Sequence, residues 1–201
     1  MAGDEGARDR ARLAHELHEE ARTLLVETGL LSLLESQFGD TTVTGSAGYD
    51  LMVWRQLDLH VACDYERRGD WLQLAARLSE MLDAKGLTLE SALFHNGYLT
   101  PNTTGAGLYW SFTFADFAGN PWKVDIWAWE PFDHAVRQAR DANLRADLTL
   151  ADRDLILKLK HEARGRYAYY GVIVSANDIY DFVIAKGGKT LDQLEAWKGI
   201  A

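Results

Sequence analysis

Val43-Thr44-Gly45-Ser46-Ala47-Gly48-Tyr49-Asp50-Leu51-Met52-Val53-Trp54-Arg55-Gln56-Leu57-Asp58-Leu59-His60-Val61 is the stretch on which the fold turns. A β-prone run at 41–44 ends at Gly45. Residues 46–54 are compatible with a short helix. Residues 57–63 then alternate as a strand does: Leu57, Leu59, Val61 and Cys63 take one face, and Gln56, Asp58, His60 and Ala62 take the other. The first set belongs in a core, so the second set faces something else.

Outward from this stretch the pattern is mixed. Residues 1–4 read as loose, and 5–27 as a helix with Leu13, Leu17, Ala21 and Leu24-Leu25 on one stripe. Gly29 stops that helix and 30–37 restarts it. His15 and His18 sit three residues apart on it, a spacing that could chelate a metal but reads as a surface or boundary position. Asp70 reads as the cap of a helix over 71–84. Strands are expected at 87–95, 108–117 and 122–129. The last two are joined by Gly119-Asn120-Pro121 and should form an antiparallel hairpin. A polar loop, 100–107, precedes them. After Glu130-Pro131 only helices are expected, over 132–146, 150–164 (entered through Thr149 and Asp152), from Ser175 or Asn177 to 184, and 190–197. A Tyr-rich loop spans 165–171.

This order predicts an α+β fold: a mixed sheet core flanked by helices, with an all-α C-terminal tail. The expected divisions are N-terminal helices at 1–38, the core at 39–130 and a helical subdomain at 131–201.

Bulk properties narrow the function. At 201 residues the chain suits one ordinary domain or a core with a helical appendage. Its formal net charge of −9 argues against a nonspecific nucleic-acid binder. The single cysteine, Cys63, excludes an internal disulfide and a multi-cysteine zinc site. No apolar run reaches the ~18 residues of a membrane helix, and no secretory leader is read at the N-terminus. The expected location is the cytoplasm.

Two carboxylates carry the chemistry. Asp58 lies mid-strand opposite an apolar row, and Asp125 lies in a second strand among Trp122, Val124, Ile126 and Trp127. An ionised Asp in a partly dry setting needs donors, a cation or a metal. Two from neighbouring strands suit a hard ion such as Mg²⁺. Gly45-Ser46, between a strand and a helical turn, reads as a phosphate cradle. His60 shares the face of Gln56 and Asp58 and reads as a general base or ligand, or as a hydrogen-bonded strand histidine. Lys123 shares the face of Asp125 and reads as its ion partner or as a phosphate ligand. Tyr49, Trp54, Tyr109, Trp110, Trp122, Trp127 and Trp129 supply aromatics for stacking or for the core. Lys158, Lys160, His161, Arg164 and Arg166 form a basic cluster, read as a phosphate grip or as a solvated helix face.

Val43-Thr44-Gly45-Ser46, the nine residues after it, Gln56-Leu57-Asp58-Leu59 and the late Val124-Asp125-Ile126 together resemble the DNA polymerase β-like nucleotidyltransferase superfamily over roughly residues 40–130. The tail, with Asp178-Ile179-Tyr180-Asp181-Phe182-Val183 and Gly187-Gly188-Lys189-Thr190-Leu191, looks like that of small bacterial nucleotidyltransferase-like proteins. The resemblance implies a nucleoside triphosphate held with Mg²⁺, and attack on its α-phosphorus by a small-molecule acceptor with loss of pyrophosphate. It assigns phosphate to Gly45 and Ser46, and metal and catalysis to Asp58 and Asp125 together with the position of Gln56; from the residues themselves, Lys123 and Lys158 are added as candidate phosphate ligands and His60 as a candidate catalytic group.

Gln56 departs from the pattern, which has Asp there as a ligand to both metals. An amide removes a full charge from the site. Two further functions therefore stand beside transfer. One is a retained fold that binds or transforms another small molecule by metal-independent acid–base chemistry. The other is a non-catalytic regulatory partner.

Overall fold

The computed structural model describes residues 2–101, 105–166, 171 and 173–200. Helix α1 runs over Ala2–Thr28, so the N-terminal residues from Ala2 are helical rather than loose. Helix α2 is Leu30–Phe38, after a left-handed Gly29. Strand β1 is Thr41–Thr44, α3 is Gly45–Gly48 and β2 is Gln56–Ala62. A 3₁₀ turn at Tyr65–Arg67 leads into α4, Arg68–Asp83. Strands β3, Leu89–Asn96, β4, Leu108–Ala115, and β5, Pro121–Trp129, complete a sheet. Helices α5, Pro131–Leu150, α6, Arg153–Arg166, α7, Ala176–Lys186, and α8, Leu191–Lys198, follow. The architecture is the expected mixed sheet with flanking helices and a C-terminal run of helices.

Several local expectations are corrected. The helix after Gly45 lasts one turn and ends at Gly48, and Asp50, at φ 54, has left the helical region. Asp70 sits inside the first turn of α4 rather than capping it. Asp152, not Thr149, receives the amide of Leu155 at the start of α6, while the Thr149 hydroxyl bonds back to the Arg145 carbonyl. Ser175 caps α7 in a reciprocal box with Asp178, and Thr190 does the same for α8 with Gln193. Parts of the expected loops at 100–107 and 165–171 lie outside the described residues.

Two compact units form. The sheet unit comprises 19–48 and 55–141, and the helical unit comprises 1–18, 49–54 and 142–201. The divisions expected at 38/39 and 130/131 do not coincide with them.

In the sheet unit the strand order is β1-β2-β5-β4-β3. Strands β2 and β5 are parallel; β1–β2, β5–β4 and β4–β3 are antiparallel, so the expected 108–129 hairpin forms. One face is core: Leu57, Leu59, Val61, Val124, Ile126, Ala128, Phe112 and Phe114 have no exposed surface. The buried stripe of α4, Trp71, Leu74, Leu78 and Leu82, belongs to the same core. The indole of Trp110 donates to the Trp71 carbonyl, and Phe38 of α2 meets Trp71 edge-on at 5.3 Å.

In the helical unit Leu51 and Val53 are buried with Ile156, Leu157, Leu159, Ile179, Tyr180, Phe182, Leu191 and Leu194. Three cations one stripe apart on α6 hold the segment 50–53. Arg153 pairs with Asp50 at 2.8 Å, the buried Lys160 donates to the Leu51 carbonyl, and Arg164 donates to the Val53 carbonyl at 2.7 Å. No helix among the described residues is long and apolar enough to cross a membrane.

Candidate functional site

Alternation and register build the site on the second face of the sheet. Thr44 pairs with Asp58, Asp58 with Asp125, and Asp125 with Ser111, which gives one row across four strands. On one side of it lies Gln56–Lys123–Thr113, and on the other Thr42–His60–Trp127–Tyr109–His95. The sequence-predicted Gln56, Asp58, His60, Lys123 and Asp125 are thus brought onto one face.

Asp125 is the centre, at 5% exposure. A buried carboxylate this dry is tolerable only when paired and hydrogen-bonded. Lys123 Nζ meets its Oδ2 at 2.7 Å, Gln56 Nε2 donates to the same oxygen at 2.9 Å, and Tyr109 Oη donates to Oδ1 at 2.7 Å. Burial, then the Asp125 charge, holds the Tyr109 phenol well above its usual range, against an opposing bond from Ser111. Tyr109 therefore keeps its proton and serves as a permanent donor.

Asp58 is half-buried beside this cluster, with its Oδ1 3.5 Å from Gln56 Nε2. Gly45, at φ +61, presses its backbone against the Asp58 carboxylate; a Cβ there would stand 2.7 Å from Oδ2. Glycine is required at that position for both reasons. Ser46 lies next to it, half-buried in the single turn of α3.

His60 is neutral at ordinary pH: burial, then the charges of Arg137 and His134, push its pKa down to about 4, against the pull of Asp141. Its ring meets Trp129 edge-on at 6.0 Å, and the Arg137 guanidinium lies 3.5 Å from the centre of the Trp129 ring. Trp127 and Tyr109 lie 4.6 Å apart, both half-buried on the site face. Trp110 and Trp122 belong instead to the core face. Tyr49 and Trp54 belong to the helical unit, as does the basic cluster. Lys158 faces Glu162 at 3.9 Å, Lys160 and Arg164 hold backbone carbonyls, and Arg166 pairs with Asp192 and Glu195. His15 is exposed on α1 and His18 is half-buried.

From sequence, Tyr109 stands out only as one of the aromatics, and neither Ser111 nor Thr44 stands out as a site residue. The signal for the first two is the 116–120 turn, whose length sets which β4 residues stand opposite Asp125. Nothing in the sequence signals that the Thr44 hydroxyl bonds to Asp141 of α5.

This donor set bears on the Mg²⁺ ions that the resemblance implies. Both oxygens of Asp125 accept from protein donors, one donor is itself a cation, and Gln56 presents its N–H side to the carboxylates. Mg²⁺ needs oxygen ligands in strict octahedral array. Among the described residues no group of three or more His, Cys, Asp or Glu converges as metal ligands. The residues as arranged do not fit a two-ion clamp.

The sheet and its row of carboxylates define a mixed α/β protein with a polar sheet face as its candidate site. No family model and no curated protein matches the chain. Among solved structures it is similar to Cid1 poly(U) polymerase with MgGTP bound, at 19% identity and a TM-score of 0.49, over 80% of this chain and 48% of that one. Cid1 in complex with its short product ApU gives 17% and 0.46, over 80% and 47%. A cytoplasmic RNA terminal U-transferase gives 17% and 0.41, over 78% and 47%. The chain spans about half the length of these proteins, and at such scores the likeness carries no argument about what it does.

Proposed function

We propose that this chain is a nucleotide-binding protein of nucleotidyltransferase type that holds its ligand without a two-metal clamp and does not transfer the nucleotidyl group. The observation that carries the reading is the Gln56 amide donating to Asp125, at the position where the superfamily pattern places a metal-binding Asp. The rest of the pattern supports a nucleotide as the ligand. Gly45 and Ser46 stand at the β1 end of the Asp58–Asp125 row, Lys123 offers an ammonium for phosphate, and Tyr109 with Trp127 offers an aromatic surface for a base. His60, held neutral, supplies a hydrogen-bonding edge on the same face rather than a charge.

Calorimetry of the purified chain with each of the four ribonucleoside triphosphates tests this. Binding of at least one, weakened by Trp127→Ala and by Lys123→Gln, is expected. Absence of binding for all four, with or without Mg²⁺, would sink the reading.

A further inference from the structure

We infer that the Lys123 ammonium is the resident cation of this site, so that a divalent ion competes with Lys123 for Asp125 rather than joining it. Three observations lead there. Lys123 and Asp125 are two residues apart on β5 and therefore share a face, with Nζ and Oδ2 at 2.7 Å. The carboxylate side chain is 7% exposed and the lysine side chain 46%, so the anion is inside and the cation stands at the mouth. Among the described residues, Asp125 takes one of the three N–H donors of Lys123, and an ammonium has two more to offer an anionic ligand.

The charge balance agrees. Asp58 and Asp125 carry two negative charges, Lys123 returns one positive, and Gln56 adds none. With Asp at position 56 the same face would carry one more negative charge, which is the excess that divalent ions neutralise. Gln56 also has the wrong polarity for a metal ligand. Offering its carbonyl oxygen to an ion at the carboxylates would turn its N–H away from Asp125 and remove that bond. Lysine and glutamine thus act together: one replaces the ion's charge, and the other replaces a ligand with a donor. The group presented to a ligand is then an ammonium fixed by a buried anion, suited to a phosphate oxygen.

This inference takes from the proposed function only that this face is the ligand site. The test uses Mn²⁺ alone as probe, followed by its electron paramagnetic resonance signal, on the full chain. The wild-type chain should leave the free-ion signal intact. Uptake by the wild-type chain that Asp125→Asn abolishes would overturn the inference, whatever the variants do. In Lys123→Gln, with or without Gln56→Asp, Mn²⁺ should bind tighter by on the order of tenfold or more, because a unit charge has been removed at ion-pair distance. A Lys123→Gln/Gln56→Asp chain that folds by circular dichroism yet takes up no Mn²⁺ would also overturn it. If Lys123→Gln does not fold, Lys123→Arg keeps the charge, and it should fold and remain blind to Mn²⁺; uptake by Lys123→Arg counts against the inference. Failure of nucleotide binding with the Mn²⁺ results as expected would remove the proposed function and leave the role of Lys123 standing.

Discussion

Gln56 donates its side-chain N–H to Asp125 at 2.9 Å, across the parallel pairing of β2 with β5. An amide here is a donor to the buried carboxylate, whereas a carboxylate would repel it. Gln56→Asp should therefore destabilise the chain at neutral pH by about 1–3 kcal/mol. Crowding by Asp58 and Asp125 raises the pKa of the new acid in the folded state. The deficit is then largest above that raised value and shrinks as the pH falls and the acid is protonated. Thermal melts of both chains at pH 7 and pH 5 measure it; an equal deficit at both would count against the charge argument.

Tyr109 holds the other oxygen of Asp125. Tyr109→Phe removes a hydrogen bond to a buried charge while keeping the ring against Trp127. A loss of roughly 1.5–3 kcal/mol is expected, seen as a fall in Tm of several degrees. An unchanged Tm would show that the Tyr109 hydroxyl contributes nothing to holding Asp125.

Gly45 combines a left-handed backbone with contact against Asp58. Gly45→Ala should cost about 2 kcal/mol or more from the conformation and the close approach together. Gly119, also left-handed but with open space around it, gives the comparison. Gly119→Ala should lose only the conformational part. Equal losses in urea unfolding would show that the Asp58 contact contributes nothing.

How much of this was legible beforehand depends on the range of the interaction. The alternation in 57–63 is local, and it placed Gln56, Asp58 and His60 on one face, as the burial pattern of β2 bears out. The hairpin of β4 and β5 was legible from its short turn. The parallel pairing of β2 with β5 was not legible from periodicity, because more than sixty residues separate Asp58 from Asp125. The bonds from Tyr109 and Gln56 to Asp125 depend on that pairing and on hairpin register. The interleaved units were hidden for another reason. Leu51 and Val53 look like part of a helix leading into β2, but they bury their side chains among α6 and α7, while Lys160 and Arg164 hold their carbonyls. Those two cations looked like a phosphate grip because sequence shows charge and not its partner.

Three histidines weaken the fold as the pH falls. Burial leads the downward shift of His60, His134 and His161, with Arg10, Arg164 and Lys160 adding to it at His161. Each binds its proton less readily folded than unfolded. Their contribution is fully present above the ordinary histidine range near pH 6.5 and is lost as the pH falls through it toward about 4, the folded value of His60. For His60 the upper bound on the loss is about 3.5 kcal/mol. Tm should fall between pH 7 and pH 4, and less steeply in His161→Gln. A Tm that rises over this interval would contradict the assignment.

In the proposed site a lysine stands where a divalent ion would act. Nucleotide affinity measured by calorimetry in excess EDTA and again in Mg²⁺ tests it most directly. Binding in EDTA is expected, with an affinity in Mg²⁺ that is no stronger. Binding that appears only when Mg²⁺ is added, together with release of pyrophosphate, would contradict it.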